Sequence, residues 1–537
     1  MSLATTAAVA LAGLSGHVVE VQAQLAFSVP GFSLVGLPDT ALRESSDRVR
    51  AAVLSTRLPW PNKKITVNLS PASLPKAGSA FDVAIAVAVL AGEGVIPIND
   101  GVVTCGDAGD SGGHAGSGSS AVAGWKVRLD RVAHVGELGL DGRLQPVRGV
   151  LPMVVAAVAA GYADVIVPTA NADEARLVPG ARVRSASTLA DVIALHGGDP
   201  PHRPVVEPAR LPCMAEQPRF HGDLADVLGQ QVPRLALEVA AAGGHHLMMT
   251  GPPGGGKSML AARLPGILPD LTPREAVEVT AIHSVAGVFD PAGGLITRPP
   301  FEDPHHTATP AAIVGGGTGI PRPGAASRAH HGVLLLDEAP EFSPRVLDTL
   351  RQPLEQGELV IQRAGGTARF PARFQLVLTA NPCPCGMASG KGLHCTCTPT
   401  ARRRYMSRLS GPLLDRVDIQ VEVEAVGRAG MSSKRGESTA AVAERVVVAR
   451  QAARKRLDGT PWTYNGQVSG PWLRQRVRHR WQAFAEVDRG LDAGTLSLRG
   501  ADRVLRIAYT VADLAGRPDP SPADVGLAMM LRTGRMT

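Results

Sequence analysis

Eight consecutive residues, Gly251-Pro252-Pro253-Gly254-Gly255-Gly256-Lys257-Ser258, follow the short apolar run Leu247-Met-Met-Thr250 and satisfy G-x-x-x-x-G-K-[ST] at every fixed position. The pattern suits phosphate chemistry. Glycines let successive backbone N–H groups curl around phosphate oxygens, Lys257 neutralises the outer phosphates, and Ser258 can hold Mg²⁺. A helix expected to start near Lys257, with Met259 in its first turn, points its positive end at the same anion. The alternative is a purely structural glycine loop, against which the preceding apolar strand argues. A second element lies downstream, where the apolar run Gly332-Val-Leu-Leu-Leu336 ends in Asp337-Glu338, as expected of a buried parallel strand with acids at its carboxyl edge. Asp337 would complete the Mg²⁺ shell, and Glu338 would orient and deprotonate an attacking water. Phosphoryl transfer is mainly positioning and charge neutralisation, so these groups suffice for ATP hydrolysis when correctly held. Alone, the acidic pair would read as a core strand followed by a solvated turn.

Four of the six cysteines crowd into one stretch: Cys383-Pro-Cys385 and Cys395-Thr-Cys397, with His394 adjacent. Four thiolates complete a closed tetrahedral zinc shell, which leaves no position open for catalysis. The C-x-C spacing is less diagnostic than C-x-x-C, and His394 could replace one sulfur. Free or metal-bound thiols suit a reducing cytoplasm.

These groups need elements to hold them, and 537 residues are too many for one core. Residues 1–196 mix strands such as Ile65–Leu69 with apolar helices such as Phe81–Leu90, around a Gly/Ser/Ala-rich insert at 106–124 expected to be a flexible loop. A Pro-rich linker follows at 197–217. Residues 218–425 hold the nucleotide motifs and the cysteines, and 426–537 read as helical, with a basic amphipathic helix at Val442–Arg456 and a small lid from Leu496 to Met530. The early apolar stretch Ala7–Gly13 lacks a preceding cation and continues as a strand, so it is not expected to direct export. No run reaches the length of a membrane helix. The net charge of +7 is uneven, with 17 Lys/Arg against 7 Asp/Glu between positions 401 and 480. That surplus favours a polyanionic partner, although a solvated helical face would produce part of the same pattern.

The stretches Pro304-His-His-Thr307, Gly315-Gly-Gly317, Arg322-Pro-Gly324 and Ala329-His-His-Gly-Val-Leu-Leu-Leu-Asp-Glu338 resemble the magnesium-chelatase-like branch of AAA+ ATPases. Leu350-Arg-Gln-Pro-Leu-Glu355, Pro371-Ala-Arg-Phe-Gln375 and Thr379-Ala-Asn-Pro-Cys-Pro-Cys-Gly386 narrow the resemblance to the YifB/ComM family. Gly36-Leu-Pro-Asp39, Glu44-Ser-Ser-Asp-Arg-Val-Arg50 and Val67-Asn-Leu-Ser-Pro71 extend it into the amino-terminal domain. Two departures stand out: Ala325, where the family usually has Glu, and the insert at 106–124. The resemblance implies an α/β fold, with a P-loop AAA+ parallel-sheet core and helical lid preceded by an α+β Lon-protease-like domain. It also implies that Asn381 is the polar sensor of the γ-phosphate and that Gly411-Pro-Leu-Leu-Asp-Arg416 carries an arginine finger. A finger reaches a neighbour's ATP, so it implies a homo-oligomeric ring, a hexamer. Without the resemblance, Arg416 would read as an ion-pair partner of Asp415 or Asp418. Ser497-Leu-Arg499-Gly-Ala-Asp-Arg503 matches the lid helix of the second sensor, with Arg499 the first choice and Arg503 one turn later.

The implied activity is an ATP-driven motor on single-stranded or branched DNA, branch migration or helicase action as in natural transformation, alongside recombination proteins. Gly357–Phe370 has strand–Gly-Gly–strand character, and such a hairpin would present Arg363 and Arg369 to a phosphate backbone in a pore. A chelatase-type motor or a protein-remodelling ATPase acting on a partner protein is the other reading. Val135–Gly149 and Ala160–Pro168 look like the proteolytic domain of Lon, yet Ala80 or Ser79 falls at the nucleophile and Val150-Leu151-Pro152 where the activating Lys belongs. An unactivated hydroxyl is a poor nucleophile, so this domain reads as a binding or assembly module.

Overall fold

The computed structural model describes residues 2–98 apart from 37–41, 43, 73, 75 and 77, then 128–207 and 209, and 222–533 apart from 318–320, 364–365, 389–393, 426–434 and 478–483. The insert expected at 106–124 lies outside the described residues, as does most of the linker beyond residue 207.

The first sheet grows from a long hairpin. Ser2–Ala12 (β1) and Ser15–Ala26 (β2) pair antiparallel along their whole length. The turn is at Gly13, whose φ of +66° favours glycine and whose added Cβ would lie 2.5 Å from the Arg369 carbonyl. With Gly31–Val35 (β3), Lys64–Ser70 (β4), Val132–His134 (β5), Asp164–Pro168 (β6) and Arg182–Ala186 (β7), the order is β3-β4-β2-β1-β5-β6-β7. Successive residues of β1 face opposite ways. Ala8 and Ala10 therefore pack in the cluster of helix Asp82–Glu93 (α1), while Val9 packs in that of Val150–Ala159 (α2). The α1 segment is apolar all round, and Val83 to Ala91 are buried without a break.

The second unit is a parallel sheet. After helix Gln231–Gly243 (α3) come Leu247–Thr250 (β8), Lys257–Ala261 (α4), Pro273–Ala286 (α5), Phe301–Glu302 (β9) and Val333–Leu336 (β10). A hairpin of Glu358–Arg363 (β11) and Gly366–Pro371 (β12) then leads to Gln375–Ala380 (β13), helix Pro399–Met406 (α6) and Ile419–Glu422 (β14). The sheet order is β9-β10-β13-β8-β14, parallel throughout, so β13 lies between the two strands that carry the nucleotide motifs. Both faces are covered, which is why these strands are apolar at nearly every position. Leu247, Met249, Leu335 and Val377 face one core with α3, and Met248, Leu334, Leu336 and Leu378 face another. The helices Thr439–Arg456 (α7), Leu498–Leu514 (α8) and Pro522–Thr533 (α9) share the first of these cores, so the lid and one face of the sheet form a continuous apolar body.

The two units touch along α5. Ala281 packs in the α2 cluster, the Ser284 hydroxyl donates to buried Glu174, and Val285 joins Leu11, Leu14, Ala368 and Phe370. No helix among the described residues is long and apolar enough to cross a membrane.

Candidate active site

Register brings the motif residues to one edge. Thr250 is level with Ala380, and Leu336 with Leu378, so Gly251, Asn381, Asp337 and Thr379 follow or end adjacent strands at their carboxyl side. The Gly251 N–H donates to the Ala380 carbonyl at 3.1 Å, and an added Cβ there would fall 2.1 Å from the Val423 carbonyl. Only glycine fits. Pro252 is partly covered, Pro253 and Gly254 are exposed, and Gly255 is buried. Gly254 and Gly256 have φ of +73° and +89°, which turns the chain into α4 at Lys257.

Lys257 is buried, at 7% exposure, with all three ammonium hydrogens engaged. Its Nζ donates to the Gly251 carbonyl at 2.8 Å, the Pro252 carbonyl at 2.9 Å and Asn381 Oδ1 at 3.1 Å. Burial pushes its pKa down from the ordinary value, while the carboxylates of Asp337 and Glu338 act in the opposite sense. Beside it, Ser258 Oγ lies 2.8 and 2.9 Å from the two Asp337 carboxylate oxygens. Thr379 completes this group. Its hydroxyl donates to Asp337 at 2.5 Å and accepts from the Glu338 N–H at 2.9 Å. Glu338 is exposed and sits at φ +53°, an uncommon conformation for a residue with a side chain. One threonine thus fixes the carboxylate meant for Mg²⁺ and the backbone that aims Glu338. Met259 follows in α4 and is largely exposed.

The expected arginines behave differently from one another. Arg416 pairs with neither Asp415 nor Asp418; its guanidinium is ion-paired to Glu355 and donates to the Pro412 carbonyl. Burial, then the nearby charges of Arg351, Arg499 and Arg503, depress its pKa. Arg499 is 79% exposed and meets Asp415 at 3.2 Å. Arg503 is consumed within the fold, donating to Asp418 and to the Arg416 carbonyl. Burial opposes ionisation of Asp418, but the His245 hydrogen bond and the charges of His245 and Arg503 outweigh it and hold the carboxyl well below the usual range.

The basic residues singled out in the sequence are engaged to different degrees. On α7, Arg445 is paired with Glu238 and Glu437, Arg450 donates to the Ala241 carbonyl and Arg456 is clamped on Asp513 and Asn465, while Arg454 and Lys455 are exposed. Arg445 and Arg450 tie the lid to the core, and Arg456 ties parts of the lid to one another. The hairpin is present as β11 and β12, but Arg369 is held by Glu358 at 2.8 Å, and the tip and the Arg363 side chain lie outside the described residues. Ala325, one of the two departures from the family pattern, is buried in the sheet's second core.

The four cysteines come together, all Sγ atoms within 4.8 Å of one another. Cys383 lies 3.3 Å from Cys385 and 3.5 Å from Cys395, and Cys385 lies 3.6 Å from Cys395. Zinc–sulfur bonds of about 2.3 Å in a tetrahedron place sulfurs about 3.8 Å apart, so the donor set and its spacing fit that ion closely. The distances exceed a disulfide's length of about 2.05 Å. In the first unit, Ser79 Oγ is bonded to Glu137 and Lys76 Nζ to the Pro71 carbonyl, while Val150, Leu151 and Pro152 are buried at the start of α2.

A parallel β9-β10-β13-β8-β14 sheet, a phosphate loop after β8 and a helical lid define a magnesium-chelatase-type AAA+ ATPase. Family comparison agrees: residues 223–431 match "Magnesium chelatase, subunit ChlI", residues 19–113 and 119–171 match "Subunit ChlI of Mg-chelatase", and 436–532 match its C-terminal region. The chain is 47% identical to an uncharacterised Mycobacterium tuberculosis protein over 99% of both chains. It is 38% identical to the competence protein ComM of Haemophilus influenzae and 38% to YifB of Escherichia coli, in each case over 96% of this chain and 94% of the relative. A Lon protease of Mycolicibacterium smegmatis matches more locally, at 26% identity over 34% of this chain. The chain belongs to the YifB/ComM family of magnesium-chelatase-like proteins.

Sequence reasoning missed Thr379 and the His245–Asp418–Arg503 network. Thr379 had a readable signal, a hydroxyl that follows the apolar run Leu376–Leu378 near the end of its strand. The network had none, because its members are separated by 173 and 85 residues.

Proposed function

We propose that this chain is one subunit of a homohexameric, ATP-driven motor that acts on single-stranded or branched DNA. Incoming phosphates take the place of the Gly251 and Pro252 carbonyls on Lys257, and the N–H groups of Gly254 to Ser258 complete the cradle. Ser258 and Asp337 are the residues that would hold Mg²⁺, which supplies charge neutralisation between the outer phosphates. Glu338, aimed by Thr379, orients the water and takes its proton. Asn381, one hydrogen bond from Lys257, senses the γ-phosphate. Arg416 of one subunit enters the next subunit's pocket, and Arg499 reaches its nucleotide from the lid. The cysteine cluster holds zinc as a structural group. The amino-terminal domain assembles or recruits and does not cleave peptides, because Ala80 or Ser79 falls at the nucleophile and Val150-Leu151-Pro152 stands where the activating Lys belongs.

The observation that carries this reading is the convergence of Lys257, Ser258, Asp337, Thr379 and Asn381 on one sheet edge beside exposed Glu338. The printed name of the Haemophilus relative, a competence protein, supports DNA as the track. The test is ATPase rate against single-stranded, duplex and four-way DNA, with particle mass measured in the presence of nucleotide. Branched or single-stranded DNA should stimulate hydrolysis by hexamers, and binding should weaken steeply with salt. Stimulation by unfolded protein instead of DNA would move the motor to a protein substrate.

A further inference from the structure

The cysteine cluster is wired to the nucleotide pocket at three points. Cys383 is two residues beyond Asn381, so the strand that delivers Asn381 runs straight into the first metal donor. The chain then turns back, with the Gly386 N–H donating to the Cys383 carbonyl at 2.9 Å. Gly386 lies directly on the phosphate loop. Its φ is +76°, and a Cβ there would sit 2.5 Å from the Pro253 ring. At the other end of the cluster, Cys397 is followed by Thr398, whose side chain caps α6 by accepting from the Ala401 N–H. That helix carries Tyr405, which is buried; burial pushes its pKa up to about 12, and the Asn381 backbone acts in the opposite sense.

We infer that a tetrathiolate-bound metal ion, zinc by its donor set, sets the shape of the nucleotide pocket by pinning Asn381 and Pro253 through one closed knot of chain. The assignment rests on reading Gly251–Ser258 as the ATP site. A closed four-sulfur shell does no chemistry of its own. Its effect is to remove the freedom of a chain segment that would otherwise leave Asn381 and the loop roof unsupported. Metal occupancy then tunes nucleotide affinity without touching the nucleotide.

Three measurements on the full-length protein test this. Elemental analysis should find one zinc per chain, and cobalt grown in its place should show the intense thiolate charge-transfer bands of a tetrahedral sulfur site. A Cys395→Ser/Cys397→Ser variant should lose the metal and bind a fluorescent ADP analogue at least tenfold more weakly, with unchanged far-ultraviolet circular dichroism. Gly386→Val should keep one zinc per chain yet weaken the same nucleotide by a comparable factor, since it displaces Pro253 while leaving every sulfur in place. If the double serine variant fails to fold, zinc released from the wild-type protein with a mercurial and a chelator, then restored, gives the same comparison. Wild-type protein free of metal, or metal-free protein or Gly386→Val that binds the analogue normally, would overturn the inference while leaving the ATP site standing. Wild-type protein that carries zinc but binds no nucleotide would overturn both.

Discussion

Both sheets pair their polar groups within the fold, and they use them in opposite ways. In the amino-terminal sheet each is closed off locally. Asp82 accepts from Arg48 at 2.7 Å, from Ser45 and from the Leu138 N–H, and Asn171 bonds both the N–H and the carbonyl of Val147. His134 is strung between Thr6 and His196, each contact 2.8 Å. Among the described residues, these groups are taken up by one another. In the ATPase sheet, Lys257, Ser258, Asp337, Thr379 and Asn381 also satisfy one another, but they do so around the mouth of one loop, beside a carboxylate that faces solvent. Buried polar groups must be paired in either case. What separates support from chemistry is whether the pairs converge on space that a ligand can enter and exchange partners with.

The largest effects should therefore fall on the ATPase sheet. Arg416→Ala should lower the ATPase rate by roughly 10³- to 10⁵-fold, the range for a guanidinium that meets transition-state charge. Glu338→Gln should bind ATP and lose hydrolysis to a comparable degree. Mixed rings should recover partial activity, because Glu338→Gln subunits supply the missing finger to intact pockets. Mixtures no more active than either parent would show that the pocket is complete within one chain.

How much of this could be read from the residues follows from the range of each signal. The phosphate loop, the acidic strand end, the buried helix near 81–90 and the cysteine cluster are local patterns, and each lies where its pattern placed it. The strand order is not a local signal, since periodicity alone cannot say that β13 inserts between β8 and β10. Charge is ambiguous in sequence for a physical reason. Arginine in α7 looks the same in sequence whether it faces solvent or, like Arg456, reaches across the lid to an aspartate 57 residues away. The same blindness hid Glu355 as the partner of Arg416, 61 positions earlier in the chain.

A smaller effect belongs to the amino-terminal sheet and to pH. Burial, with a further push from the charge of His196, holds the His134 pKa well below its usual value, and burial lowers His196 to about 4. Both are depressed relative to about 6.5 in an unfolded chain, so unfolding takes up protons that the folded state refuses. Their contribution to stability is intact above about pH 6.5 and is lost as the pH falls toward 4. At pH 5 the His196 shift alone corresponds to about 2 kcal/mol, roughly thirtyfold in the folding equilibrium. His246 and His330 at the foot of the ATPase sheet are also lowered to about 4, so the whole chain shares the trend. Unfolding midpoints in urea at pH 7, 6 and 5 should fall, and His196→Gln should make the fall shallower. An identical slope in the variant would mean that the first sheet's closed pairs carry no such cost.

The smallest effect probes where the two uses of polar groups meet. Arg416 is assigned to a neighbour's nucleotide, yet in the single chain it is parked on Glu355, a half-exposed carboxylate. An ion pair at such a position is worth about 1 kcal/mol or less, which limits the brake to about fivefold. Glu355→Gln should therefore raise the ATPase rate up to about fivefold at protein concentrations where rings are scarce, and by nothing once rings are saturated. The concentration dependence separates parking from positioning. If Glu355 instead holds the finger in its working pose within the ring, the variant loses activity at saturating protein, where parking predicts no change.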